Sequence, residues 1–277
     1  MLLRVLRHPV SRIILGLAAL AFASGGAQAL AHLLHMPKPG PALLTTTAVF
    51  FVYVSFVRGL ERRAVTELRL NAVPLVLVGF VLGAALFCAT LGVLVRLGVA
   101  HMSEGDGWRS ALFAVPVALA IAVTEELMIR GVVFRICEAS LGTWIALAIS
   151  AALFGALHAF NDGATVVNTI AIACEAGVLL AAAYVVTRGL WLPIGLHLGW
   201  NFTEGDIFGA AVSGHSAHGV WHSAFTGAPL LSGGAFGPEA SLVAVVVCTV
   251  AGALLLWRGA KLGHFVTLQR TFKYPQA

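Results

Sequence analysis

The sequence predicts an all-α fold: a polytopic transmembrane bundle of about eight helices enclosing a polar intramembrane cavity. Three observations lead there. Of 277 residues, 59% are hydrophobic and only 10% are charged. With a mean hydropathy of +0.93, that composition suits lipid rather than a soluble domain. The apolar residues come in runs of helical length, without the alternation an outer-membrane barrel needs. Within those runs lie three ionisable clusters: Thr124, Glu125, Glu126 and Arg130; Phe154 and His158; His197 and Asn201. A charge at mid-membrane costs about 2.5–3.5 kcal/mol on insertion scales. Residues kept at that cost pair around a wet cavity and are functional candidates by default.

The apolar runs cover about 13–35, 41–57, 72–97, 110–136, 144–160, 166–187, 189–203 and 240–258. The first follows a basic stretch and contains Ala27, Gln28 and Ala29, a plausible signal-peptidase site. Its apolar character continues through Leu34, so it reads as a retained span, whereas cleavage would leave seven. Between the second and third runs, residues 58–70 read as an amphipathic helix on the cytoplasmic surface. The seventh run is short, which fits a tilted, interrupted or re-entrant segment. Trp108, Trp144, Trp191 and Trp257 fall near span ends, as interfacial anchors do. The chain reads as one membrane domain, 1–277, with an extramembrane loop at 204–239 rich in Gly, Ser and His.

The net charge of +5 is no nucleic-acid signal, because the cations alternate between loops. Arg4, Arg7 and Arg12 precede the first span; Arg58, Arg62, Arg63 and Arg69 follow the second. Arg135 and Arg188 follow the fourth and sixth, and Arg258, Lys261, Arg270 and Lys273 follow the last. The other loops hold Lys38 and Arg109, with Arg96 nearby. The positive-inside rule then puts both termini in the cytoplasm. Arg exceeds Lys and Ala and Gly are abundant, which points to a GC-rich bacterial genome and hence to the inner membrane. Cys88, Cys137, Cys174 and Cys248 are scattered and form no CxxC pair, so apolar burial is their reading.

Glu126 and Arg130 are spaced i,i+4 and pair along one helix face. Glu125 is rotated about 100° from its neighbour and stays free to face a cavity. One carboxylate neutralised and one left free is what a general base requires; a packing ion pair beside a protonated Glu125 is the structural alternative. Phe154 and His158 stand one turn apart, and His197 and Asn201 project from one face. Pro193 and Gly195 let that segment approach other helices closely. Together these groups supply a base, two imidazoles and an amide donor. The set fits water-driven hydrolysis of a peptide bond, and it fits equally a divalent metal held by His158, His197 and Glu125. Asn168 and Glu175 share a face of the sixth span and read as a structural polar seam. His215, His218 and His222 have metal-compatible spacing, but their Gly/Ser-rich context reads as a solvated stretch.

Glu-Glu-xxx-Arg, Phe-xxx-His and His-xxx-Asn, in this order, resemble the CAAX-protease and bacteriocin-processing (Abi) family of intramembrane proteases. The stretch from Tyr184 to His197 resembles that family's approach to its last motif. The resemblance covers about residues 110–205. It implies a helical membrane fold with a polar active-site cavity and cleavage of a membrane-associated peptide or protein. It implies Glu125 as the base that activates water, assisted by His158, with His197 and Asn201 as oxyanion stabilisers or metal ligands. Glu126, Arg130 and Phe154 are then supporting residues. The family is called metalloproteases, which implies one divalent metal such as zinc, and a metal-free, glutamate-activated water competes with that mechanism. No HExxH and no GxSxG occurs. Lipid and a peptide are the expected partners, and nucleic acid is not.

A proton-coupled transporter also uses intramembrane Glu, His and Arg, but no internal repeat is visible. A non-catalytic immunity or scaffold protein of the same fold is a third reading, disfavoured by the intact motifs. One tension remains. A fourth helix that enters near Ser110 puts Glu125 ~22 Å inward, and a fifth that starts near Trp144 puts His158 ~21 Å from the opposite face. In a ~30 Å core these depths differ by over ~10 Å.

Overall fold

The computed structural model describes Leu6 and His8–Leu268. Of the cations used in the charge argument, Arg4, Arg7, Arg270 and Lys273 lie outside the described residues. The chain is a helical bundle. Its helices are α1 (Pro9–Leu33), α2 (Gly40–Leu60), α3 (Leu75–Arg96), α4 (Trp108–Leu141), α5 (Thr143–His158), α6 (Val166–Thr187), α7 (Trp191–Asn201) and α8 (Leu242–Lys261). Six of them, α1 to α4, α6 and α8, are long and apolar enough to cross a membrane, and they make this a multi-pass membrane protein. The eight apolar runs thus become six long helices and two short ones. At 16 and 11 residues, α5 and α7 fall below the ~20 that a bilayer core needs. Both short helices carry motif residues.

Local chemistry sets the boundaries. Thr165 and Ser241 cap α6 and α8 by accepting from the amides of Asn168 (3.2 Å) and Ala244 (3.1 Å). Arg258 and Lys261 close the last turn of α8, where cations suit the helix dipole. Among the described residues four π-type turns occur: one ends α2 at Phe56–Leu60, and those at Leu127–Phe134, Ala173–Gly177 and Phe202–Ile207, the last directly following α7, surround one interior region.

Two glycine pairs fix the tightest crossing. On α3, a Cβ at Gly79 or Gly83 would collide with backbone atoms of Leu192 and Leu196. On α7, a Cβ at Gly195 or Gly199 would collide with the carbonyls of Val76 and Phe80. The two helices therefore pack backbone to backbone through reciprocal Gly-xxx-Gly motifs, as small residues allow in lipid. Residues two positions away from Gly195 and Gly199 lie about 200° round the helix, on the opposite face. His197 is such a residue, and the crossing turns it inward.

The helices α4 and α5 form a hairpin about Gly142, at φ 83°. Glu125 stands 17 residues before Gly142 and His158 stands 16 after it. At 1.5 Å per residue both are about 25 Å from the turn. They are level, and the depth tension disappears. Its source was the assumed start of the fourth span: α4 has 34 residues, about 51 Å, and overshoots a ~30 Å core.

Residues 58–70 do not form the expected amphipathic surface helix. Beyond Leu60 the chain is irregular, with 3₁₀ turns at Thr66–Leu68 and Leu70–Ala72. The reason is charge. Glu61 and Glu67, which an amphipathic helix would turn to water, have side chains only 1% and 2% exposed and sit in ion pairs. Glu61 bonds Arg12, Arg63 (2.9 Å) and Arg135 (2.8 Å); Glu67 bonds Arg63 (2.6 Å) and accepts from Tyr53 (2.5 Å). Nearby, Arg188 pairs with Glu138 at 2.7 Å. Arg12, Arg63, Arg135 and Arg188, from alternate loops of the sequence, thus gather at one end of the bundle. At the other end, the segment after α7 folds back as a strap. Its strand β2 (Trp221–Phe225) pairs antiparallel with β1 (Ala100–Glu104), Ala100 opposite Phe225.

Candidate active site

Glu125 and Glu126 end the regular part of α4, just before its wide turn. Glu126 is fully buried and its Oε1 is shared: Arg130 donates to it at 2.7 Å, and His197 Nδ1 lies 3.0 Å away. An ionised carboxylate can only accept, so His197 places its Nδ1 proton there. Arg130, also fully buried, donates its other terminal nitrogen to the carbonyls of Ala176 (3.1 Å) and Gly177 (3.2 Å). Those carbonyls belong to the wide turn of α6, where the regular ladder is interrupted. The guanidinium also lies 4.6 Å from the Phe154 ring centre.

Glu125 is different. Its side chain is 33% exposed, no Lys or Arg pairs with it, and its Oε2 has no hydrogen-bond partner. That oxygen lies 4.0 Å from His197 Nε2, so one water reaches both at ordinary hydrogen-bond lengths. His158 ends α5, with Nδ1 2.7 Å from the Phe154 carbonyl. A carbonyl accepts, so the Nδ1 proton is engaged and Nε2 is the free position. The Phe154 ring lies 4.6 Å from that of His158 and meets His197 edge-on at 6.1 Å.

Glu125, Phe154, His158, His197 and Asn201 all line one cavity of about 500 Å³. Glu126 and Arg130 stand behind its wall. A second cavity of about 820 Å³ lies among α1, α2 and α4, with His32, His35 and Lys38 at its margin. Val117, Ile121 and Glu125 border both spaces, so Glu125 stands where they meet.

No ready-made metal site is formed. Among the described residues no three His, Cys, Asp or Glu side chains gather so as to hold an ion, and this includes His158, His197 and Glu125. The loop histidines also separate: His215 lines the cavity, His218 lies 3.1 Å from Asp106, and His222 sits in β2 opposite Ser103. The supposed seam of Asn168 and Glu175 is split as well. Asn168 lies at the start of α6 beside its cap, while Glu175, 2% exposed, reaches the cavity.

Two carboxyl groups escaped the sequence reading. Glu239, just before α8, lines the cavity and accepts from the Ser213 amide and hydroxyl, both at 2.8 Å. Burial lifts its carboxyl above the ordinary range, against those two hydrogen bonds. The Ser213 carbonyl in turn accepts from Asn161 at 2.9 Å, which ties the strap to the end of α5. Glu204 lies buried beside Glu239 and accepts from Trp200 Nε1 at 2.9 Å. A signal for Glu204 existed, since 197, 201 and 204 follow the i, i+4, i+7 rhythm of one helix face. None existed for Glu239, which only the strap brings in. No curated protein and no solved structure matches the chain. The segment that builds most of the cavity does have a match: residues 107–203 fit the family model described as Rce1-like, type II CAAX prenyl endopeptidase Rce1-like, the same family that the three motifs resemble.

Proposed function

We propose that the protein is an intramembrane endopeptidase that cleaves a peptide bond of a membrane-associated substrate with water activated by Glu125. The observation that carries this is the contrast between adjacent carboxylates. Glu126 is committed to Arg130 and His197, while Glu125 has no Lys or Arg partner, faces both cavities and lies 4.0 Å from an imidazole nitrogen. Glu125 takes a proton from the water as it attacks the carbonyl carbon. His197, held through Nδ1 by Glu126, donates from Nε2 in its doubly protonated form. Together with the Asn201 amide it stabilises the oxyanion. His158 Nε2 accepts that proton from Glu125 and passes it to the leaving amine as the C–N bond breaks, which leaves Glu125 ionised again. No step passes through a metal.

In this reading the chain lies in a bacterial inner membrane with its arginine-rich end in the cytoplasm. Both the start of α1 and the end of α8 belong to that end. The strap and the mouth of the cavity then face the other side. The test is cleavage of a quenched-fluorescence peptide library by purified protein in detergent, with and without chelator. The expected result is chelator-insensitive cleavage that is lost in Glu125→Gln. Full activity in that variant would overturn the assignment of Glu125, and loss on chelation would overturn the metal-free mechanism.

A further inference from the structure

The cavity is chemically lopsided. Three carboxyl groups line it, Glu125, Glu175 and Glu239, and no Lys or Arg does. Glu125 belongs to the proposed chemistry. The other two do not, and they form a second acidic wall where α6 meets the strap, with Glu204 behind Glu239. Glu175 is 2% exposed, and its Oε2 has no hydrogen-bond partner. An acceptor buried without a donor costs free energy, and native structures rarely keep one without a use. Among the described residues the nearest guanidinium, on Arg130, directs both terminal nitrogens to Glu126 and two carbonyls. The Cys248 thiol of α8 also meets the Glu175 carboxyl, and the lining around it is otherwise apolar, with Ile172, Leu179 and Leu180. A complementary ligand must therefore bring N–H donors and positive charge at the tip of an apolar stem.

We infer that the wall of Glu175 and Glu239 is a specificity pocket for a basic side chain, lysine or arginine, of the peptide substrate. The inference rests on the endopeptidase reading and deepens it. The methylene stem lies along the leucines, the ammonium or guanidinium donates to Glu175 Oε2, and Glu239 supplies the second carboxylate. Glu239 is held for this by Ser213, so the strap that closes the cavity also sets its selectivity. The scissile carbonyl remains with Glu125 and His197.

The experiment compares paired peptides that carry lysine or norleucine at each position around the cleaved bond. Norleucine keeps the stem and loses the charge. At one position, wild type should prefer lysine by roughly 30-fold or more in kcat/KM. Glu175→Gln and Glu239→Gln should each collapse that ratio towards unity. A merely structural role would lower both peptides equally and leave the ratio unchanged, which would overturn the inference. Cleavage by wild type with no lysine preference anywhere would overturn it too, while leaving the endopeptidase reading intact. If no peptide is cleaved, that reading fails by itself. Anisotropy of the labelled peptides with the Glu125→Gln protein then decides the pocket: tighter binding of lysine than norleucine supports it, and equal binding overturns it.

Discussion

Two buried charge clusters in this molecule are opposite in their accounting. At the arginine-rich end, Glu61 and Glu67 meet Arg12, Arg63 and Arg135, and Tyr53 adds a hydrogen bond. The cations outnumber the acids, and the network joins α1, the end of α2, the following loop and α4. Around the cavity the acids outnumber the cations, and Glu125, Glu126, Glu175 and Glu204 each keep an oxygen without a partner. The first arrangement is what stability selects, since a buried charge is tolerable once paired. The second is tolerable only where something else enters to complete it. Burial alone does not separate the two; the presence or absence of a partner does.

The largest expected break is chemical. Glu125→Gln should lower kcat/KM by about 10²–10⁴-fold, while the thermal unfolding midpoint in detergent stays at the wild-type value. A matched fall in the midpoint would move Glu125 into the stabilising class. The converse comes next. Glu61→Gln leaves arginines facing each other without their acid and should cost up to about 3–5 kcal/mol of stability. Activity per folded molecule should persist, as judged by active fraction against folded fraction. A smaller effect is expected at the glycine crossing. Gly199→Ala forces α7 off α3 and should cost about 1–3 kcal/mol. It should also reduce activity in the molecules that remain folded, because the shift is passed to His197 and Asn201.

The smallest effect is acid sensitivity. Burial alone would raise the Glu61 and Glu67 carboxyls, but the guanidiniums beside them outweigh it and hold both below the ordinary range. A depressed folded-state pKa gives stability that is complete above the unfolded value of about 4.3 and drains away as pH falls through the lower folded value. Unfolding midpoints should therefore drop below about pH 4 in wild type, and less steeply in Glu61→Gln.

How much of this was written in the sequence depends on distance along the chain. The apolar runs gave eight helices because lipid demands long uninterrupted segments. Glu125, Glu126 and Arg130 could be sorted into free and paired because one helical turn fixes their geometry. The rest depends on contacts that span scores of residues. Glu61 looked like a surface charge until Arg135 was beside it. Glu239 carried no local mark, and Ser213 and the strap alone bring it to the cavity. Gly79 and Gly83 were four residues apart and readable as a pair, but their partners on α7 were not. The depth of Glu125 was misjudged because a 34-residue helix was assumed to begin at the membrane face.

The hairpin about Gly142 has a consequence for how this chain can change. Its two arms act as a ruler folded at the midpoint, with Glu125 and His158 at matching marks. One residue inserted into either arm would slide its mark by about 1.5 Å and swing it through about 100°. Length variation within this part of the chain must then be balanced across the fold, or be confined to the segments beyond the two marks.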